Sequence, residues 1–533
     1  MIRKSLLFFF LLSLAIRVLT ALPQQHPGNM DEAYHTVNAI TLASGGGFVE
    51  DFIWNYLNPP ETVTHPGNLY WMPLTGIIAA AGMMPGGISW SAGQWGFILL
   101  SALLPPLGYL IAWQVSAKKR HARSAALLML FSGFYFPVWT VIDTFTPFAL
   151  AGALSLYAAW RALETGHYRW AILAGVMTGL AHLTRADGAL LFLVICFWFP
   201  VSSFEFRVPG SRFRVSGLSR NQQTKTKNPK PKTRNYLFFI LAYLLTMLPW
   251  LIRNLNVIGT PLPSGGSKTI WLQSYADIFS YNKDLSLQSY LAWGWGNILQ
   301  SKLWAISINL QTLIAVIGLI VIFPLALIGW WKLRRHPLFQ LSGLYLLLLW
   351  LAMTLVFTFP GPRGALFHSG GAVLPFVFTA AMIGLDAAIV WIARRRSSWR
   401  VGSAQKVFGG GLILFALLIS FFAYARQLTA EDPLAAAYAQ TAQQYPAETL
   451  MLGDPPLYLY SGGYKAIIIP TEEIDVALQA AERYDASYLA LDKNFASHPL
   501  GPFLSEQAVH PRLKLESVFD ETVYLYKIMQ SSK

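Results

Sequence analysis

The sequence holds a single cysteine, Cys196. That excludes a disulfide framework and any site built on clustered thiolates. Charge is equally scarce: Asp, Glu, Lys and Arg together make up 12% of the chain, about half their share in a soluble protein. No glycine loop of the nucleotide-cradling kind occurs, which argues against ATP hydrolysis and against a cytosolic nucleotide sugar as substrate. Between Pro23 and Tyr70 there is neither Lys nor Arg, although the chain as a whole carries a net charge of +14.

What fills the sequence is apolar. Hydrophobic residues reach 54% and mean hydropathy is +0.43, with repeated runs near the ~20 residues that cross ~30 Å of hydrocarbon. The basic residues stand in short blocks between these runs: Arg3-Lys4, Lys118–Arg123, Arg207–Arg234, Lys332–Arg335 and Arg394–Arg400. That is the positive-inside pattern, with contact to anionic lipid headgroups. It lacks the folded basic face that nucleic-acid recognition needs. The expectation is an α-helical polytopic protein of the plasma (inner) membrane that has membrane lipids, and no nucleic acid, as partners.

The charge blocks orient the runs. Ser5–Leu22 is apolar except for Arg17; it is read as a retained first span, the alternative being a cleaved signal peptide. The N-terminus is then cytoplasmic and the acidic segment 23–93 lies outside. That segment is expected to hold short surface helices at 33–44 and 69–84, the second too short to span. Gln94–Val115 then runs inward and sets Lys118 in the cytoplasm. The alternation continues through Ser124–Ile142, Phe148–Leu163, Trp170–Leu183 and Ala189–Val201 to a solvated basic cytoplasmic loop at 204–235. Tyr236–Leu251, Ile306–Trp330, Phe339–Phe359, Val373–Ile392 and Phe408–Ala425 complete about eleven spans within 1–425. From 426 to 533 the composition becomes that of a small extracytoplasmic α/β domain. Its expected helices are Leu434–Tyr445 and Glu472–Tyr484, and its strands Thr449–Leu452, Ala466–Ile469, Ser487–Leu491 and Val523–Ile528.

The chemistry gathers at the outer face. Asp31 and Glu32 are adjacent carboxylates just past the first span. A base at a membrane surface is best served by a carboxylate in a partly desolvated cleft, where burial and a like charge raise its pKa toward working pH. Asp143, expected on the same face, is placed to hydrogen-bond an incoming hydroxyl or amine. Arg185, Arg253 and Arg363, followed by His368, fall at outer span ends against the positive-inside bias. They either snorkel to headgroups or bind a phosphate bidentately. His65, Tyr70 and Trp71 add polar and stacking groups beside the acidic pair. His26, His35, His65 and His368 lack the spacing of a helical ligand pair, so no metal and no other cofactor is expected.

Several of these stretches, in this order, resemble the C-type (GT-C) membrane glycosyltransferases, in particular the family of protein O-mannosyltransferases and bacterial aminoarabinose transferases. They are Met30-Asp31-Glu32, His65-Pro66-Gly67-Asn68-Leu69-Tyr70-Trp71, Gly179 to Gly188 with its Leu-Thr-Arg-Ala-Asp-Gly ending, Pro249-Trp250-Leu251-Ile252-Arg253-Asn254, and Pro360-Gly361-Pro362-Arg363-Gly364 ahead of Leu374-Pro375. The resemblance implies a polyprenyl-phosphate-linked sugar as donor and inverting transfer to a lipid, glycan or protein acceptor at the outer face. Asp31 would be the base, supported by Glu32. The family's Lys/Arg-Pro-Pro stretch appears here as His65-Pro66-Gly67, without its cation. An oligosaccharyltransferase-type enzyme is the near alternative. A transporter or flippase for lipid-linked sugars is the distant one, and would need charge deep within the spans.

Overall fold

Lipid offers the backbone no hydrogen-bond partner, so long apolar runs close their own bonds as helices. The computed structural model describes residues 2–203, 233–263, 265–396, 398–429, 433–504, 508–519 and 522–529; the basic loop expected at 204–235 lies almost wholly outside them. Among the described residues six helices are long and apolar enough to cross a membrane: Ile2–Ala21, Trp90–Ser116, Thr233–Ile258, Pro337–Val356, Gly361–Ala393 and Val401–Leu428. A bent pair, Trp295–Ile317 meeting Ile322–Leu333 at 89°, forms either a broken seventh span or a re-entrant loop. Leu319 and Ile320 turn that corner with φ of 44° and 50°. The other four expected spans coincide with helices that are shorter or carry more polar residues, Lys119–Leu130, Phe145–Thr165, Tyr168–Thr184 and Ala189–Ser203.

One of these differs from its expectation in a way that matters for the site. Ser124–Ile142 is not a continuous helix. The helix stops at Leu130 and two single 3₁₀ turns follow, Gly133–Tyr135 and Pro137–Trp139. Gly133 holds φ 64° and Pro137 lacks the N–H that a longer helix would use. The first helix, α1 (Ile2–Ala21), fixes the break. Arg17 is fully buried, and its Nη2 donates to the carbonyl of Leu130 at 3.1 Å, a cation at a helix C-terminus. Further on, Gln24 Nε2 donates to the Pro137 carbonyl at 3.1 Å and Gln24 Oε1 accepts the Thr140 hydroxyl at 2.8 Å. The chain is thus delivered to Asp143 by buried polar contacts rather than by helical rise.

Outside the bundle, the acidic segment opens with α2 (Met30–Ala43) and holds three two-residue strands, β1 (Val49–Glu50), β2 (Phe52–Ile53) and β3 (His65–Pro66). The C-terminal strands are β4 (Thr449–Leu452), β5 (Lys465–Ile468), β6 (Tyr488–Asp492), β7 (Leu513–Phe519) and β8 (Val523–Ile528). They form a six-stranded sheet in the order β2-β5-β4-β6-β8-β7. The first four strands of that order run parallel, and β8 and β7 antiparallel. The edge strand β2 comes from the first loop, with Phe52 opposite Ala466 and Ile53 opposite Ile467. The change of composition at 426 is therefore not a boundary in space. Ala33, Tyr34 and Val37 of α2 share one core with Phe52, Trp54, Ala437, Tyr438, Leu457 and Tyr458. Strand order reverses between β4 and β6, the place where open α/β sheets receive ligands. Here that crest is filled: a Cβ on Gly453 would meet the Phe495 ring at 2.6 Å and the Asp492 carboxylate at 3.0 Å.

Candidate active site

The site starts at the N-terminus of α2, where free backbone N–H groups favour carboxylates. Asn29 caps the helix through Oδ1, which accepts from the Glu32 N–H at 3.1 Å. Glu32 reciprocates. Its carboxylate accepts the Gly28 N–H at 2.8 Å and the Asn29 amide at 2.9 Å, and it is 3% exposed. The adjacent pair read from the sequence is thus divided: Glu32 turns back into the cap. Asp31 meets two other groups, and one ligand-type atom each from Asp31, Asp143 and His368 lies within 4.8 Å of the others.

His368 and Asp143 are held in place by their neighbours. The His368 ring stacks on Phe145, centroids 3.7 Å apart. Its Nδ1 lies 2.8 Å from the Thr144 hydroxyl and 3.5 Å from Asp143 Oδ1. Asp143 accepts the backbone N–H and the hydroxyl of Thr144. Arg185 joins the group from the end of the helix Tyr168–Thr184, Nη1 donating to the Thr144 hydroxyl at 3.3 Å. Tyr70 and Tyr275 stand within the electrostatic reach of Asp31. The exposed Arg363 lies over the Tyr275 ring at 5.3 Å.

Burial pushes Asp31 up to about 6, against the opposing charge of Arg185. Burial also pushes Glu32 up to about 7; the Gly28 hydrogen bond opposes this and the Asp31 charge adds to it. Asp143 is raised well above the carboxylate range by burial, then by the charges of Asp31 and Glu32. A reaction using Asp31 as base is therefore expected to gain rate as pH rises through about 6 and to level off above it. A rate–pH profile flat from about pH 5 to 8 would exclude Asp31 as the titrating base. The linkage has the matching sign. A carboxyl raised on folding destabilises the native state where it is ionised, and that penalty fades as pH falls through the folded value toward the unfolded one.

The remaining expected residues brace the loop instead of meeting the cluster. Arg253 Nη2 donates to the carbonyls of Phe48 at 3.2 Å and Gly67 at 2.9 Å, and Nη1 to Asn254 at 3.1 Å. His65 Nε2 lies 3.5 Å from Glu50 Oε2, while Glu50 Oε1 accepts the Tyr34 hydroxyl at 2.5 Å and the Asn68 N–H at 2.6 Å. Trp71 stacks on Trp54 at 4.1 Å. Conversely, sequence reasoning passed over Thr144 and Ser369. Only Thr144 had a local signal, its place beside Asp143. Two carboxylates and an imidazole are also a donor set for a divalent cation, so Asp31, Asp143 and His368 are the residues that would hold one.

Residues 65–208 match the family model described as dolichyl-phosphate-mannose-protein mannosyltransferase. In fold the chain is similar to ArnT from Cupriavidus metallidurans bound to undecaprenyl phosphate, at 13% identity over 99% of this chain and 98% of that one, with a TM-score of 0.57. The apo state of the same protein gives 13% identity, 98% and 98% coverage and a TM-score of 0.56. The oligosaccharyltransferase of Archaeoglobus fulgidus in its apo form gives 11%, 95% and 70%, with a TM-score of 0.51. No curated protein sequence matches the chain. The chain thus shares its fold with these solved membrane proteins, and its segment 65–208 is similar to the dolichyl-phosphate-mannose-protein mannosyltransferases.

Proposed function

We propose that this protein is a membrane glycosyltransferase that moves a sugar from a polyprenyl-phosphate donor to an acceptor at the outer membrane face, with inversion. The observation that carries this is the meeting of Asp31, Asp143 and His368 beside the guanidinium of Arg185. Asp31 takes the acceptor proton as the acceptor's oxygen or nitrogen attacks the anomeric carbon. The bond from that carbon to the phosphate oxygen breaks on the opposite face, and the polyprenyl phosphate leaves as an anion. Arg185 and Arg363 stabilise that charge in a low-dielectric setting, where fixed cations count for more than in water. Asp143 and His368 orient the acceptor. The bundle's orientation, with a cytoplasmic N-terminus and the C-terminal sheet outside, rests on the charge blocks.

The direct test is transfer by the purified full-length chain from synthetic polyprenyl-phosphate sugars to a cell-envelope lipid, glycan or protein extract. Chain-dependent labelled product is expected, and its absence across the common bacterial sugars would overturn the reading. The three-ligand cluster favours one second reading, an oligosaccharyltransferase-type enzyme that works with a divalent ion. The two diverge under chelation. The base-only mechanism predicts full turnover in EDTA. Loss that Mn²⁺ or Mg²⁺ restores would select the metal-assisted one.

A further inference from the structure

Of the cations placed at the outer face, Arg185 is held by a closed set of side-chain hydrogen bonds. Its Nε donates to Asp187 Oδ1 at 3.0 Å and to the Ser369 hydroxyl at 3.1 Å. The Ser369 hydroxyl in turn donates to the second oxygen of Asp187, Oδ2. Arginine, carboxylate and hydroxyl so close a small ring of hydrogen bonds. The side chains are 15% exposed for Arg185 and 8% for Asp187, and Ser369 is fully buried. Nη1 continues the chain to Thr144 and through it to His368. Nη2 has no hydrogen-bond partner among the described residues. Arg253 differs, since its guanidinium is engaged by two backbone carbonyls. Arg363 differs the other way, lying exposed over the Tyr275 ring with no hydrogen-bonding side chain among the described residues to fix it.

The geometry points to Asp187 and Ser369 as positioning residues that lock the Arg185 guanidinium with Nη2 open to the phosphate of the lipid-linked donor. This rests on the glycosyl-transfer reading above and adds to it the groups that make one arginine a preorganised anion subsite. A free arginine must surrender rotamer freedom on binding phosphate. One already clamped at Nε and Nη1 surrenders little, and its remaining N–H groups stay aimed where leaving-group charge develops. The contacts come from two distant parts of the chain, the turn after the helix Tyr168–Thr184 and the segment around His368. The subsite therefore forms only when those elements are packed together.

The test measures affinity of the purified full-length protein for polyprenyl phosphate and for the uncharged polyprenol, in detergent micelles, by tryptophan fluorescence. Wild type is expected to prefer the phosphate. Asp187→Asn, nearly isosteric, and Ser369→Ala are each expected to reduce that preference by roughly 10- to 100-fold, with polyprenol affinity unchanged. Arg185→Lys sets the floor, and adding Asp187→Asn to it lowers the preference no further, because both substitutions remove the same contact. A merely structural role would weaken both lipids alike. That result, or full additivity with Arg185→Lys, or a preference untouched by Asp187→Asn, overturns the role of Asp187 while leaving the transfer reading standing. A wild type with no preference for the phosphate overturns both.

Discussion

Asp31→Asn is expected to cut transfer by roughly 10²–10⁴-fold, the usual contribution of a positioned general base, while the protein still inserts and folds. The fold should survive because Asp31 makes none of the capping bonds of α2. Those belong to Asn29, Gly28 and Glu32. The substituted amide keeps the size of the carboxylate and cannot take a proton. Glu32→Gln tests the division of labour: it disturbs a cap worth about 1 kcal/mol and leaves the proton acceptor, so its loss of turnover should be far smaller. Turnover of both variants against a polyprenyl-phosphate sugar, with thermal unfolding measured in parallel, separates chemistry from stability. Near-normal rates for Asp31→Asn would remove it from the mechanism, and equal losses for the two variants would make the first turn of α2 a structural unit only.

A chain ending at residue 429 is expected to insert its spans and to show no transfer at all. Such a chain lacks Ala437, Tyr438, Leu457 and Tyr458, which share one buried core with Ala33, Tyr34 and Val37 of α2. Each large side chain left uncovered forfeits about 1.5–3 kcal/mol. At 14 residues, α2 is also near the length at which an isolated helix is marginal in water. It would lose the pairing of β2 with β5, and the hydroxyl contacts from Tyr56 to Ile468 and from Tyr484 to Pro60. Asp31 would then ride on a mobile segment. Limited proteolysis with chymotrypsin should cut between residues 23 and 70 in the truncated chain and spare the full-length one. Measurable turnover without the sheet would show that α2 is held by the membrane part alone.

Legibility in the sequence followed the range of the physics. Four of the five C-terminal strands were readable because alternation is local: β4 and β8 fall where the sequence put them, and β5 and β6 within a residue, while β7 was not read. Strand β2 was not readable, since two residues carry no period and the partner at Ala466 lies across the whole bundle. The break after Leu130 had its signals in Gly133 and Pro137, outweighed by an apolar run that serves the bundle core rather than a lipid crossing. At the site, Asp31, Asp143, Arg185 and His368 were named from membrane-edge position and charge, and the fold brings them together. Glu32 was named as support for Asp31, and the structure gives it a further task that was not legible, the cap it shares with Asn29. Asp187 stood in the same short motif as Arg185 and went unused, since its value lies in a hydroxyl 182 residues away.

The pairing of residue 52 with residue 466 also sets an order of events during biogenesis. At about 5–20 residues per second of synthesis, the acidic segment is made some 20–80 s before its partner strand exists. Through that interval an aromatic-rich stretch waits with an unpaired edge. The lack of any lysine or arginine in it keeps it free of trypsin-like cleavage sites until the last span is in place and the sheet can close.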